Sequence, residues 1–135
     1  MTVLTKNSFI EFNLIEYQLI KYLAISLVTL GFAIGIVALI AMRNSWRVGI
    51  RYDQKTDLVT FGIYRFSRNP YFLSYYIMMF GFVLLFPSLF LIIPYLIVVF
   101  TFHSMIIEEE KYLEKTHGAD YINYKKKVNR YITLL

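Results

Sequence analysis

The charges of this chain are segregated, and that limits its fold more than any other feature. From Pro70 to Ile107, 38 consecutive residues lack Asp, Glu, Lys and Arg; from Tyr22 to Met42, 21 do. A helix rises about 1.5 Å per residue, so the shorter run is about 32 Å long and crosses a hydrocarbon core of about 30 Å. The longer run would reach about 57 Å, too far for one crossing. Two crossings joined by a turn at Phe86-Pro87-Ser88 fit it better. The first arm is the shorter, so it relies on protein neighbours or a thin bilayer. A soluble helical protein with a greasy core is the competing reading. It is disfavoured because uncharged runs of this length rarely occur in water-soluble helices.

The expected fold is therefore all-α: a membrane helical bundle of about three transmembrane helices, the second and third a hairpin, plus interfacial C-terminal helices. A single domain spans 1–135. It divides into an interfacial segment (1–21), a first span (22–42), a loop (43–69), a spanning hairpin (70–107) and a tail (108–135). Of the 14 Lys and Arg, all but Lys6 and Lys21 fall in the loop and the tail. Basic residues mark the cytoplasmic side, which puts the N-terminus outside and brings loop and tail to the inner surface. The net charge of +5 suits anionic headgroups. No soluble basic face is left over for nucleic acid.

Several chemistries are excluded. There is no cysteine, hence no disulfide or thiol nucleophile. No glycine pair has the G-x-G spacing of a phosphate cradle. Gly31 and Gly35 form a G-x-x-x-G that reads as close helix packing. The only histidines are His103, inside the third span, and His117, before Gly118; two residues so placed make no metal site. His103 is expected to hydrogen-bond within the bundle or to face a polar cavity. His117-Gly118 reads as a helix end with glycine at the left-handed position.

Two polar stretches remain. Before the hairpin, Asn69 suits a helix N-cap and Pro70 the first turn, with Arg65 and Arg68 beside the positive end of the helix dipole. An anion-attracting corner and an ordinary basic membrane flank both fit that arrangement. After the hairpin come Glu108, Glu109 and Glu110. Successive helix positions differ by about 100°, so the three cannot share a face, and at least one should turn toward the bundle mouth. Pairing with Lys111, Lys115 or loop arginines is the plain alternative. Tyr121, Tyr124, Val128 and Tyr131 follow helical spacing with Lys125, Lys126 and Lys127 between them, as in an interfacial helix with snorkelling lysines.

The segments "SWRVGI", "LVTFGIYRFSRNP" and "EEEKYLEKTHGADYINYKKKVNRYI" resemble the isoprenylcysteine carboxyl methyltransferases and the related phospholipid methyltransferases. The resemblance covers about residues 42–132. Its specificity lies in the order of the motifs around a hairpin-length run. The chain departs from the pattern at Ile63, Asn69, Phe72, Ser74 and His117. The resemblance implies an integral membrane enzyme that transfers a methyl group from S-adenosylmethionine to a lipophilic substrate, such as an isoprenylcysteine carboxylate or a lipid amine. It implies a cofactor pocket walled by Tyr64, Arg68, Asn69 and Pro70 on one side and Glu109, Glu110 and Leu113 on the other. Arg65, Glu109 and Glu110 take catalytic roles in this reading, and Arg65 or Arg47 would hold a substrate carboxylate. Known members often have more spans before these motifs, and a second copy of the chain, in a homodimer, is one source of a missing helix. Two rival readings are an NADPH-dependent membrane reductase of similar architecture and a non-catalytic membrane scaffold.

Overall fold

A computed structural model describes residues 18–43 and 57–133; the interfacial segment before residue 18 and Arg47 lie outside them. Four α-helices follow one another: α1 (Gln18–Met42), α2 (Pro70–Leu85), α3 (Leu89–His117) and α4 (Ala119–Lys127), with a one-turn 3₁₀ helix at Gly62–Arg65. No strand occurs among the described residues.

Helix α1 and helix α3 are long and apolar enough to cross a membrane, and α2 is a shorter apolar helix. Their apolar side chains face outward: Phe32 is 61% exposed, Ile97 59%, and Phe90 and Phe100 72% each. A soluble protein would bury such a surface, so the greasy-core alternative fails; lipid is the solvent these helices suit.

Helix α1 packs on α2 in antiparallel fashion through glycine. A Cβ on Gly31 would lie 2.8 Å from both the Met78 nitrogen and the Ser74 carbonyl oxygen of α2. One on Gly81 of α2 would lie 2.9 Å from the Ala24 carbonyl of α1. The G-x-x-x-G of α1 is thus a close-packing seam, and its partner is the chain's own α2. Helices α2 and α3 form the hairpin. Helix α2 stops at Leu85, and the Ser88 hydroxyl caps α3 by accepting from the Phe90 amide at 3.2 Å. The arms then meet through rings, with Phe72 and Tyr75 centred 5.2 and 5.7 Å from Phe102. Both contacts and the Phe80–Tyr95 pair at 6.2 Å fit an antiparallel hairpin with α2 in the middle of the three helices.

Helix α3 runs on past Ile107 to His117, carrying the three glutamates with it. Gly118 ends it with φ +52°, the positive angle expected, but with ψ −122°, outside the left-handed helical basin. That sharp corner starts α4, whose Tyr121 and Tyr124 pack with Val128 against Leu58 and Leu113. Here the helical row breaks off. Val128 is already extended, so Tyr131 does not continue the face of α4. Residues 128–133 instead fold back as a strap over the segment before α2. The Arg68 amide donates to the Asn129 carbonyl at 3.0 Å and the Thr133 amide to the Phe66 carbonyl at 2.8 Å.

Gly31→Leu should destabilise the protein by on the order of 2–3 kcal/mol, because the new side chain meets the backbone of α2 rather than a movable side chain. Phe32→Leu, on the outward face of the same helix, should be near neutral. Reversible unfolding from mixed detergent measures both.

Candidate active site

The glutamate that turns inward is Glu110. It is 4% exposed, on α3 where the helix leaves the hairpin. An isolated carboxylate at that depth would be costly, and this one is enclosed by donors. Arg130 reaches it with a two-pronged grip, Nε to Oε1 at 3.1 Å and Nη2 to Oε2 at 3.0 Å. Arg68 approaches Oε1 at 3.3 Å, and the Asn69 amide donates to the same oxygen at 3.2 Å. Planar guanidinium forks match a carboxylate in this way and lysine does not. The hydrogen bond to Glu110 holds the Arg130 proton more tightly than usual.

The local chain path explains how these groups meet. Asn69 stands at the N-cap position of α2, but its side chain makes no capping bond. Its amide is spent on Glu110 and on the Arg130 carbonyl, 3.2 Å away. Capping competes with the demand of a buried carboxylate, and charge-assisted bonds are the stronger. Pro70 at the first position of α2 removes one amide that would otherwise want a partner. Ser67, buried, accepts from the Asn69 backbone N–H at 3.1 Å and donates to the Arg130 carbonyl at 3.3 Å.

The aromatic wall comes from α4. The Tyr124 hydroxyl donates to the Tyr64 carbonyl at 2.6 Å, fastening the 3₁₀ turn to α4. Tyr121 lies 3.5 Å from Arg68 Nη1. Burial, and then the Glu110 charge, push the Tyr121 hydroxyl up to about 12, while Arg68 opposes them. Tyr64 and Tyr124 are also pushed above the usual tyrosine range, first by burial; for Tyr64 the Glu109 charge adds to it.

Against the residues singled out from sequence, the structure brings Arg68, Asn69, Pro70 and Glu110 to one place, with Tyr64 behind them. Glu109 is half-buried and near enough to Tyr64 to act on its hydroxyl. Leu113 belongs to the packing under α4. Arg65 is exposed and makes none of the bonds to Glu110. Arg130 was absent from that set although it grips Glu110 most fully. Its signal was present, as the arginine closing the "VNR" of the tail motif. The other acidic residues pair differently: Glu114 accepts from Lys125 at 3.2 Å on the exposed side of the tail.

A family model for phospholipid methyltransferases matches residues 19–120. The chain belongs to the phospholipid methyltransferase family. The match runs from the start of α1 to the first residues of α4, so it takes in the first span as well as the hairpin and the glutamates. Neither a curated protein nor a solved structure matches the chain. Membership in the phospholipid methyltransferase family and the outward apolar helices together make this a membrane protein of a methyltransferase family. Among the described residues, no cluster of His, Asp and Glu could hold a metal ion.

Glu110→Ala should cost about 3–5 kcal/mol of stability, the range for breaking a buried ion pair, since it strands the buried Arg68. Alkaline titration gives a second check. The unfolded chain releases the Tyr121 proton near the ordinary value of 10.0, and the folded chain holds it to about 12. The stability Tyr121 contributes is therefore complete below pH 10 and drains away as pH rises to 12, by on the order of 2 kcal/mol. Tyr121→Phe should flatten that decline in a pH series of melting temperatures.

Proposed function

We propose that this phospholipid methyltransferase family member binds S-adenosylmethionine at Glu110 and methylates a lipophilic substrate at the membrane face carrying loop and tail. The distribution of Lys and Arg supports the cytoplasmic side for that face. One observation carries the reading: a single buried carboxylate, set at the mouth of a membrane hairpin between two guanidinium groups.

The donor set fits the cofactor's amino-acid end. That end carries an ammonium, which needs a carboxylate, and a carboxylate, which needs fixed donors. Glu110 would serve the first. Arg68 would serve the second, because its buried Nε has no hydrogen-bond partner. A buried donor left unmade costs free energy, so a ligand acceptor there would be favoured. Tyr64 and Glu109 stand behind this corner. Bound there, S-adenosylmethionine supplies a methyl group on a positively charged sulfur, open to direct displacement by a nucleophile.

The protein's own contribution is then positional. Fixing the nucleophile in line with the methyl group contributes most of the rate in such displacements. The seam between α2 and α3, lined by Phe72, Tyr75, Tyr76 and Phe102, is apolar enough to receive a substrate from the bilayer side. A substrate carboxylate needs no base at neutral pH. A substrate amine arrives protonated, and Glu109 is the carboxylate for that proton. The prenylated-cysteine and lipid-amine classes both satisfy this arrangement.

Purified protein in detergent should bind radiolabelled S-adenosylmethionine, and NADPH should not compete. Glu110→Gln, which keeps the shape and some of the hydrogen bonds, should weaken binding about tenfold or more through loss of the charge. Absence of binding by folded wild-type protein, or equal affinity in the variant, removes Glu110 from a cofactor site.

A further inference from the structure

The strap at residues 128–133 touches the hairpin at two depths. Arg130 grips Glu110, and the next residue, Tyr131, places its hydroxyl 2.6 Å from His103 Nδ1, with the two rings stacked. Tyr131 also lies against Tyr76 of α2, ring centres 5.8 Å apart. His103 and Glu110 are seven residues apart on α3, two turns and about 10 Å along one face. An ionisable side chain inside a membrane span is costly and is kept where it has a partner or a task. His103 has its partner from the strap.

The ends of the strap are fastened elsewhere. Asn129 and Thr133 bond to Arg68 and Phe66 of the loop through backbone atoms. The strap is internally tight, since the Asn129 amide donates to the Thr133 hydroxyl at 2.7 Å and the Asn129 side chain to the Ile132 carbonyl at 3.2 Å. Its polar bonds to α3, among the described residues, come from the consecutive side chains of Arg130 and Tyr131. We propose that residues 128–133 are a clasp on α3, locked at Glu110 and His103 together, and that a cationic ligand at Glu110 opens both locks and uncovers His103 to the hairpin seam. The ligand-driven half of this rests on the reading of Glu110 as a cofactor site.

The charges favour that release. Arg68 and Arg130 together saturate Glu110, with Glu109 offsetting the remaining positive charge from behind, so an incoming ammonium must take the place of one guanidinium to reach Glu110. Arg130 is the one that can withdraw. Its side chain is 33% exposed against 8% for Arg68, so its charge returns to water at small cost. Once the ion pair is broken, Tyr131 is held on His103 by one hydrogen bond and ring contacts, and its neighbour's carbonyl by two long bonds from Ser67 and Asn69. Exchange between such local states needs only a few weak contacts to part.

Diethyl pyrocarbonate modification, read residue by residue by mass spectrometry, tests the clasp in the full chain in detergent. Only two histidines exist, so His117 serves as the internal reference. Tyr131→Phe should speed modification of His103 about fivefold, and Arg130→Gln should do the same without touching the Tyr131 bond directly. If Arg130→Gln leaves His103 at the wild-type rate, the two locks are independent and the proposal falls. It falls equally if Tyr131→Phe has no effect. Should Arg130→Gln lose its helical circular dichroism, Arg130→Lys replaces it; this keeps the charge without the fork and should give an intermediate rate, a wild-type rate again overturning the coupling. Saturating S-adenosylmethionine, with binding followed separately by equilibrium dialysis, should raise the wild-type rate toward that of Tyr131→Phe. A bound ligand with an unchanged rate overturns ligand-driven release. No binding at all refutes the cofactor reading of Glu110, and the ligand-free variants still decide whether the clasp exists.

Discussion

A buried carboxylate must be neutralised where it sits, and the architecture around Glu110 follows from that requirement. The first partner, Arg68, comes from the turn that leads into the hairpin; the second, Arg130, comes from the far end of the tail. Neither segment has much regular structure of its own. Without Glu110 between them, two like charges would be pressed together at low dielectric, and the strap would keep only its neutral bonds to the loop. The same group thus closes the chain on itself across 62 positions of sequence, from 68 to 130. Tyr124, on the Tyr64 carbonyl, and Ser67, on the Arg130 carbonyl, brace that closure with neutral bonds.

Family membership and this geometry bear on different levels of function. The family match accounts for the order of spans and motifs, and for a methyltransferase scaffold in a membrane. The electrostatics bear on the ligand in the proposed reading. An excess of guanidinium around one carboxylate, with an orphaned Arg68 nitrogen beside it, favours a molecule that carries both signs of charge over a simple cation or a simple anion. Amino-acid ends have that character, which is why the proposed function takes this corner for the cofactor's amino-acid end.

Much of the helical framework was legible in the sequence because membrane constraints are one-dimensional. Uncharged run lengths set α1 and the hairpin, Phe86-Pro87-Ser88 set the turn, and Gly31 with Gly35 marked the tight seam, as the atoms around Gly31 bear out. Gly118 ended α3 where expected. The bonds of the polar corner were less accessible. Three consecutive glutamates present every phase of a helix, so the choice of Glu110 depended on the rotation of α3, which no local pattern records. Asn69 was placed correctly, but its side chain serves a partner 41 positions away rather than the neighbouring amides. Tyr131 matched a helical row that the chain leaves three residues earlier. Arg130 was overlooked for a related reason: a residue in an irregular strap has no periodicity to betray what it faces.

The two seams of the bundle differ in stiffness. Between α1 and α2, backbone lies almost on backbone at Gly31 and Gly81, and such a joint resists shear because any slip drives main-chain atoms together. Between α2 and α3 the contact is made by broad rings on long levers, with one hydroxyl, Tyr76 on the Val99 carbonyl, spanning the gap. Rings can rotate and slide where main chains cannot. The α1–α2 pair is therefore the stiffer joint of the bundle and the α2–α3 contact the more yielding one. What holds α3 to the other two towards its C-terminal end is the tail, through Arg130 on Glu110 and Tyr131 on His103, so the least regular segment of the chain braces the looser seam.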